Sequence, residues 1–134
     1  NERASLDELL EPPATHAAKV DRGALTARAR AELHNRRRRV ALFGQSIFGE
    51  PAWDMLLVLY VLNDSGQRQT VGSLFQFSGY SWSTAKRWLD YLAAHGLIRR
   101  DDHPTDRRTA FVSLTTKARD WLDLYYSETI ETVV

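Results

Sequence analysis

The sequence of 134 residues contains no cysteine. Disulfide frameworks, thiolate zinc sites, iron–sulfur clusters and thiol redox switches are therefore excluded. Long hydrophobic segments are also missing. The longest apolar run, Met55–Leu62, is far shorter than the roughly 20 residues that span a bilayer. Residues 1–18 lack the apolar centre of a signal peptide. We therefore expect no membrane partner and a cytoplasmic location.

The sequence has almost no net charge, with 18 Lys and Arg against 17 Asp and Glu. This balance hides blocks of opposite sign. Residues 1–16 carry four acids and one base, whereas residues 19–39 carry eight bases and two acids. Fifteen of the basic residues are arginines, which suit forked contacts with phosphates and guanine edges. The near-zero total therefore does not exclude a nucleic-acid partner.

The apolar spacing predicts two helices in the first half of the chain. One runs from about Asp21 to Phe43, with Asp21 as its N-cap. A second, buried helix begins near Pro51, because proline suits a first helical turn and the run then stops at Asn63. We interpret the acids at this second start as capping residues, and residues 1–20 as an arm without a committed fold. Residues 21–134 are then one domain.

Two short helices follow, joined by a tight turn. Thr70 caps Val71–Phe77, in which Leu74 and Phe77 are expected to face inward. The turn over residues 78–80 contains a glycine, and Ser81 caps the helix 82–95. In this helix an apolar stripe recurs at helical spacing, formed by Ala85, Leu89 and Leu92.

A charged hairpin and a last helix complete the chain. Strands are expected around 97–100 and 111–114, with a turn containing Pro104 between them, and Thr115 caps a final helix. A helix pair joined by a glycine turn and followed by a hairpin is typical of a winged helix-turn-helix. The predicted fold class is mainly α with a small β-hairpin, a winged helix-turn-helix.

Two stretches resemble the MarR family of winged-helix transcription regulators. The first runs from Leu74 through Gly79-Tyr80-Ser81 to Arg87 and on to Gly96-Leu97-Ile98. The second, residues 106–115, reads DRRTAFVSLT and matches the family wing pattern D-x-R-x-x-x-V-x-L-T. The resemblance covers about residues 52–118. It implies a homodimer with interleaved terminal helices, a recognition helix (82–95) in the major groove and a wing (99–112) near the minor groove.

Seven side chains are candidates for contact with double-stranded DNA. Hydroxyls near a helix N-terminus can reach phosphates or bases, and arginine can fork onto guanine. An arginine at a wing tip can enter a narrow minor groove. We expect Asp106 to pair with Arg108 and shape the hairpin. The candidates are Ser81, Ser83, Thr84, Lys86, Arg87, Arg107 and Arg108.

The run Arg36–Arg39 has three interpretations. Four successive residues surround a helix, so they cannot all face one surface. Some could contact phosphates, and some could be solvated. Others could pair across a dimer interface with acids of the last helix, such as Asp120, Asp123 and Glu128. The dimer seam that the resemblance implies would use apolar faces of the first and last helices, including Leu25, Leu33, Leu122, Tyr126 and Ile130.

No pattern of an enzyme is found in the sequence. The four histidines lie on different elements without metal-ligand spacing, and neither a nucleophile motif nor a phosphate-binding glycine loop occurs. We therefore expect no catalysis, no metal and no cofactor. Two alternatives stay open beside the DNA-binding regulator: a protein-interaction or output module of a larger regulatory chain, and a repressor gated by a small-molecule effector.

Overall fold

The computed structural model describes residues 21–45, 49–63 and 66–132, with side-chain surroundings up to residue 127. The predicted arm of residues 1–20 lies outside these ranges, as does the side chain of Ile130. The described residues form five helices and three strands in the order α1 (Arg22–Phe43), α2 (Pro51–Leu62), β1 (Gln69–Thr70), α3 (Val71–Ser78), α4 (Trp82–Ala94), β2 (Ile98–Asp102), β3 (Ala110–Leu114) and α5 (Thr116–Thr132). This order confirms the mainly α fold class with a hairpin.

Helix α1 begins and ends as its sequence indicates. The Asp21 carboxylate accepts the backbone N–H groups of Gly23 and Ala24, so it satisfies donors that the first turn leaves open. Gly44 ends the helix with a φ of 102° and donates its N–H to the carbonyl of Val40 at 2.8 Å. The helix buries Leu25 and other apolar residues at intervals of four, and this stripe attaches it to the core.

Helix α2 is the central element of the core. Proline occupies its first turn, and Met55, Leu57, Val58, Leu59 and Tyr60 are all buried. Helix α2 packs against α1, α3, α4 and β3, so residues on all of its sides are buried. The prediction of a buried helix rather than a strand for this apolar run is confirmed. No helix in the described ranges is both long and apolar enough to cross a bilayer.

The three strands form one antiparallel sheet in the order β1-β3-β2. In the hairpin, Ile98 lies opposite Leu114 and Asp102 opposite Ala110. Strand β1 adds to the other edge of β3, with Gln69 opposite Val112. Strand β1 is not predicted by the sequence, because a strand of two residues has no periodicity to detect. It joins the start of the helix-turn-helix to the wing.

Two predictions about burial are wrong. Phe77 was expected to face inward, but it is 45% exposed, while Phe75 is buried. In α3 the residues Val71, Leu74 and Phe75 share the inward face, and Phe77 projects from its side. The proposed dimer seam is also wrong in its residues. Leu25, Leu33, Leu122 and Tyr126 are buried within the single chain, where α1 packs against α2 and α5.

Candidate nucleic-acid interface

Helix α4 presents a polar face on a firmly anchored support. Its Ala85, Leu89 and Leu92 are buried as predicted, so the opposite face points away from the core. Ser81 caps the helix by accepting the backbone N–H of Thr84 at 3.3 Å, and its hydroxyl donates to Thr84 Oγ1 at 3.0 Å. The candidates Ser81, Ser83, Thr84, Lys86 and Arg87 therefore gather on the N-terminal half of α4.

Lys86 and Arg87 differ in what they contact. Lys86 Nζ lies 2.9 Å from Asp90 Oδ2, one turn further along the helix. The other oxygen, Asp90 Oδ1, lies 2.7 Å from Arg100 Nη1 on β2. Arg87 is exposed, and its guanidinium lies 5.5 Å from the ring centre of Trp88. The contact between Asp90 and Arg100 is not predictable from the sequence, because only the packing of β2 against α4 brings them together.

The turn between α3 and α4 depends on Gly79. Its φ of 76° is in the left-handed region, which glycine adopts without a Cβ penalty. The glycine N–H donates to the Phe75 carbonyl at 3.3 Å. On the far side of the turn, Trp82 packs edge-on against Phe75, with ring centres 4.8 Å apart, and stays 66% exposed. The turn geometry directs α4 away from α3.

Residues on and just after α1 hold this turn in place. The Arg37 guanidinium donates to the carbonyl of Phe77. The Gln45 side-chain amide donates to the carbonyl of Gly79 at 3.0 Å. These carbonyls lie at the end of α3, where helix carbonyls have no partner within the helix. Helix α1 therefore contacts the element that orients α4.

A buried carboxylate, Asp54, completes the link between α1 and the turn. Arg36 Nε donates to its Oδ1 at 2.6 Å, and the Tyr80 hydroxyl donates to its Oδ2 at 2.8 Å. Burial, reinforced by the hydrogen bond to Asp54, raises the pKa of Tyr80 above its ordinary value of 10. The capping interpretation of Glu50 and Asp54 is wrong, because Asp54 binds these two side chains and the Glu50 side chain makes no cap hydrogen bond.

The arginine run on α1 divides between different environments. Arg36 is buried, whereas Arg37 is exposed. Arg36 pairs with Asp54 and, at 3.5 Å, with Glu50 rather than with the last helix. Among the described contacts, Asp123 binds two other groups of its own chain, Arg22 Nη2 at 2.8 Å and the Tyr60 hydroxyl at 2.6 Å. Within the chain Asp123 is thus bound by Arg22 and Tyr60, and pairing of the arginine run with the last helix across a dimer interface stays a prediction.

The wing has the internal structure that the sequence predicts. Asp106 Oδ1 accepts both the backbone N–H and the Nε of Arg108, at 3.0 and 3.1 Å. These bonds hold the pKa of the Asp106 carboxyl below its usual range. His103 Nδ1 accepts the N–H groups of Thr105 and Asp106 and so fixes the turn. Arg107 and Arg108 are both exposed at this end of the hairpin.

Arg68 is a basic residue beside the wing that sequence analysis missed. Its guanidinium lies 4.0 Å from the ring centre of Phe111 on β3 and pairs with Asp101 at 3.3 Å. The side chain is 59% exposed. Arg68 immediately precedes β1. Because this strand was not predicted, the position of Arg68 beside the wing could not be predicted either. It adds a positive charge to the sheet edge next to the wing.

A cavity of about 290 Å³ lies between α1 and the helix-turn-helix. Leu33, Val40, Val58 and Phe77 provide its apolar lining, and Arg36 is one of its polar residues. The Arg36 Nη2 atom is buried and has no hydrogen-bond partner in the described part of the chain. This cavity adjoins the turn that positions α4.

An anchored helix with a basic outer face, a glycine turn before it and an arginine-tipped hairpin after it define a winged helix-turn-helix protein. The sequence model of the MarR family matches residues 53–110, and this match confirms the resemblance seen in the sequence. MarR-family regulators are DNA-binding proteins without enzymatic activity, in agreement with the expectation drawn from the sequence.

Several solved structures are similar to this chain, among them one described as a transcriptional regulator, Tm0710. RV1404 from Mycobacterium tuberculosis has 23% sequence identity and a TM-score of 0.51, with 84% of this chain and 68% of that chain covered. Tm0710 from Thermotoga maritima has 25% identity and a TM-score of 0.49, with 73% and 66% covered. BpsR from Bordetella bronchiseptica has 26% identity and a TM-score of 0.47, with 83% and 76% covered. No curated protein matches the sequence.

Proposed function

We propose that this protein is a transcription regulator that binds double-stranded DNA sequence-specifically. The observation that carries the proposal is the outer face of α4, where a basic, hydroxyl-rich surface stands on a buried apolar stripe next to an arginine-tipped wing. Such a helix fits the major groove of B-DNA. The MarR-type match over residues 53–110 supports the same conclusion.

Each candidate residue has a role that its position suggests. Arg87, exposed in the first half of α4, would fork onto guanine O6 and N7. Ser83 and Thr84, at the helix N-terminus, would contact phosphates or base edges. Arg107 and Arg108 would enter the minor groove, where negative potential is greatest. Ser81 is the N-cap of α4, and this is its first role. Lys86 is paired with Asp90, so it would have to release that carboxylate in order to bind a phosphate.

The active form in this proposal is a homodimer that reads a near-palindromic site. Two-fold symmetry would place the two recognition helices about one DNA turn apart. Because the seam residues first suggested are buried within the chain, the interface would use exposed apolar residues instead. Leu42 and Phe43, at the end of α1, are 71% and 61% exposed and are the strongest candidates. A monomer in light scattering at micromolar concentration would contradict the dimer.

The Arg87→Ala variant tests the DNA-binding proposal. Loss of a forked guanine contact should weaken binding to a selected genomic site about 10- to 100-fold, with little effect on random duplex. Fluorescence anisotropy at two salt concentrations separates these effects. The matched control is Arg30→Ala on the exposed face of α1, which should leave the specific affinity within twofold. Unchanged specific affinity in Arg87→Ala would refute the assignment.

A second candidate function, gating by a small organic anion, is favoured by one observation. The buried Arg36 Nη2 lies beside a cavity with a mixed lining, in which Arg37 adds a second cation and Asp54 a carboxylate, and it offers a donor that an anionic ligand would satisfy. We expect benzoate, but not the neutral benzamide, to raise the melting temperature and weaken DNA binding together. If the two probes act alike, the anion-gating proposal fails. If no duplex binds at all, the interaction-module alternative takes precedence.

A further inference from the structure

Asp90 is the single acidic residue of α4. Its two carboxylate oxygens bind different cations, Lys86 Nζ on the same helix at 2.9 Å and Arg100 Nη1 on β2 at 2.7 Å. The side chains are 70% exposed for Lys86, 44% for Asp90 and 42% for Arg100. The three charges thus form an exposed cluster with a net charge of +1.

The cluster lies between the recognition helix and the wing. Lys86 and Asp90 are four residues apart on one flank of α4, and Arg100 projects from the strand that leads into the wing. When α4 lies in a major groove and the wing reaches the neighbouring minor groove, the sugar-phosphate backbone that separates the two grooves passes through this space. Lys86 and Arg100 therefore lie where phosphates are expected.

The Asp90 carboxylate changes the electrostatic surroundings of a phosphate that lies near Lys86 and Arg100. Exposed ion pairs are weak and are screened by salt, so a phosphate can compete with Asp90 for either cation. Each exchange still removes a cation from Asp90 and brings phosphate near a negative carboxylate. Hydrogen bonds from Lys86 and then Arg100 hold the pKa of Asp90 below its usual range, so the carboxylate is charged at neutral pH.

We propose that Asp90 weakens the sequence-independent part of DNA binding by engaging Lys86 and Arg100, so that base contacts dominate the affinity. This inference rests on the proposed DNA-binding function. It gives a physical role to an acid on a helix face that must approach a polyanion. It predicts that the natural protein binds random-sequence duplex only weakly.

The isosteric variant Asp90→Asn tests the proposal directly. Releasing both cations should raise affinity for a random-sequence duplex about tenfold at 50 mM salt. The slope of log K against log salt should steepen by about 0.9 for each freed cation that neutralises a phosphate. Asp120→Asn on α5 is the control, since it makes the same charge change outside residues 53–110. It should alter both quantities by less than half as much.

A second variant separates the electrostatic role from a structural one. Lys86→Met should lower random-duplex affinity in both backgrounds, but by a smaller factor in the natural one, where contact with a phosphate costs the ammonium its bond to Asp90. In the Asp90→Asn background it should lower that affinity at least threefold. If Asp90 only stabilises the helix, Asp90→Asn will instead lower both the melting temperature and the DNA affinity, and the proposal is overturned.

Two further outcomes distinguish this inference from the function on which it rests. If the natural protein binds a selected site but Asp90→Asn leaves random-duplex affinity and its salt slope unchanged, only the role of Asp90 is refuted. If neither protein binds any duplex at 50 mM salt, the DNA-binding function and this inference both fail. A rise in affinity with a steeper salt slope supports both.

Discussion

At the residue scale, Arg36 and Arg37 are neighbours in sequence with opposite environments. Arg36 has an 8% exposed side chain and pairs with Asp54, which is 11% exposed. Arg37 is exposed and makes one bond to the Phe77 carbonyl. Removing one member of a buried ion pair leaves an uncompensated charge, whereas an exposed hydrogen bond contributes little. The sequence RRRR does not distinguish them.

Substituting each of the two arginines by methionine predicts a difference in stability, in which Arg37 is the control for Arg36. Arg36→Met should lower the free energy of unfolding by about 3 kcal/mol, because it leaves the Asp54 carboxylate buried without its cation. Arg37→Met should cost less than about 1 kcal/mol. Urea unfolding of both variants measures the difference. Equal midpoints would show that the Arg36–Asp54 pair does not stabilise the fold.

At the element scale, the helix-turn-helix is built from short helices with specific ends. Helix α3 has a reciprocal capping box, in which Thr70 Oγ1 accepts the N–H of Ser73 at 3.1 Å and Ser73 Oγ accepts the N–H of Thr70 at 3.0 Å. Its other end requires the left-handed backbone of Gly79. The helix has only eight residues, so its ends account for much of its stability.

Gly72 in α3 and Gly79 at its C-cap should respond to alanine with opposite signs. Gly79→Ala should destabilise by about 1 kcal/mol, since φ is 76° although a Cβ there would meet no atom within 4 Å. Gly72→Ala should stabilise by about 0.5 kcal/mol, because it lies inside the helix and its Cβ would approach nothing closer than Thr70 Oγ1 at 3.9 Å. Thermal unfolding of the two variants compares them. Equal shifts would contradict the backbone explanation.

At the scale of the whole molecule, three tyrosine–carboxylate bonds join elements that are distant in sequence. Tyr60 donates to Asp123 at 2.6 Å and links α2 to α5. Tyr80 donates to Asp54 and links the turn to α2. Tyr126 donates to Glu32 at 2.7 Å and links α5 to α1. Burial first, and then these hydrogen bonds, raise the pKa of each hydroxyl above 10.

These raised pKa values predict a loss of stability in alkali. Above pH 10 the tyrosines of the unfolded chain release protons while those of the folded chain retain them, so the free energy of unfolding falls as the pH rises. Each tyrosine contributes up to about 1.4 kcal/mol per pH unit. Melting temperatures between pH 8 and 11 measure the decline. Tyr126→Phe should melt lower at pH 8 but decline less steeply, and an identical decline would contradict this account.

Features that depend on near neighbours in the chain follow from the sequence alone. The caps Asp21, Thr70, Ser81 and Thr115 were all predicted, and Thr115 Oγ1 accepts the Ala118 N–H at 3.1 Å. The buried stripe of α4 and the Asp106–Arg108 pair were predicted too. A helix cap or a turn uses atoms within a few residues, so the local pattern carries the information.

Only the tertiary structure decided the partners of charged and apolar side chains that lie far apart in the sequence. Asp54 binds Arg36 and Tyr80, and Asp90 binds Arg100. Leu25 is buried in the core of its own chain. A charge or an apolar face indicates that a partner is needed but does not identify it. The partner depends on how α1, α2, α4 and the sheet pack together, which no local spacing encodes.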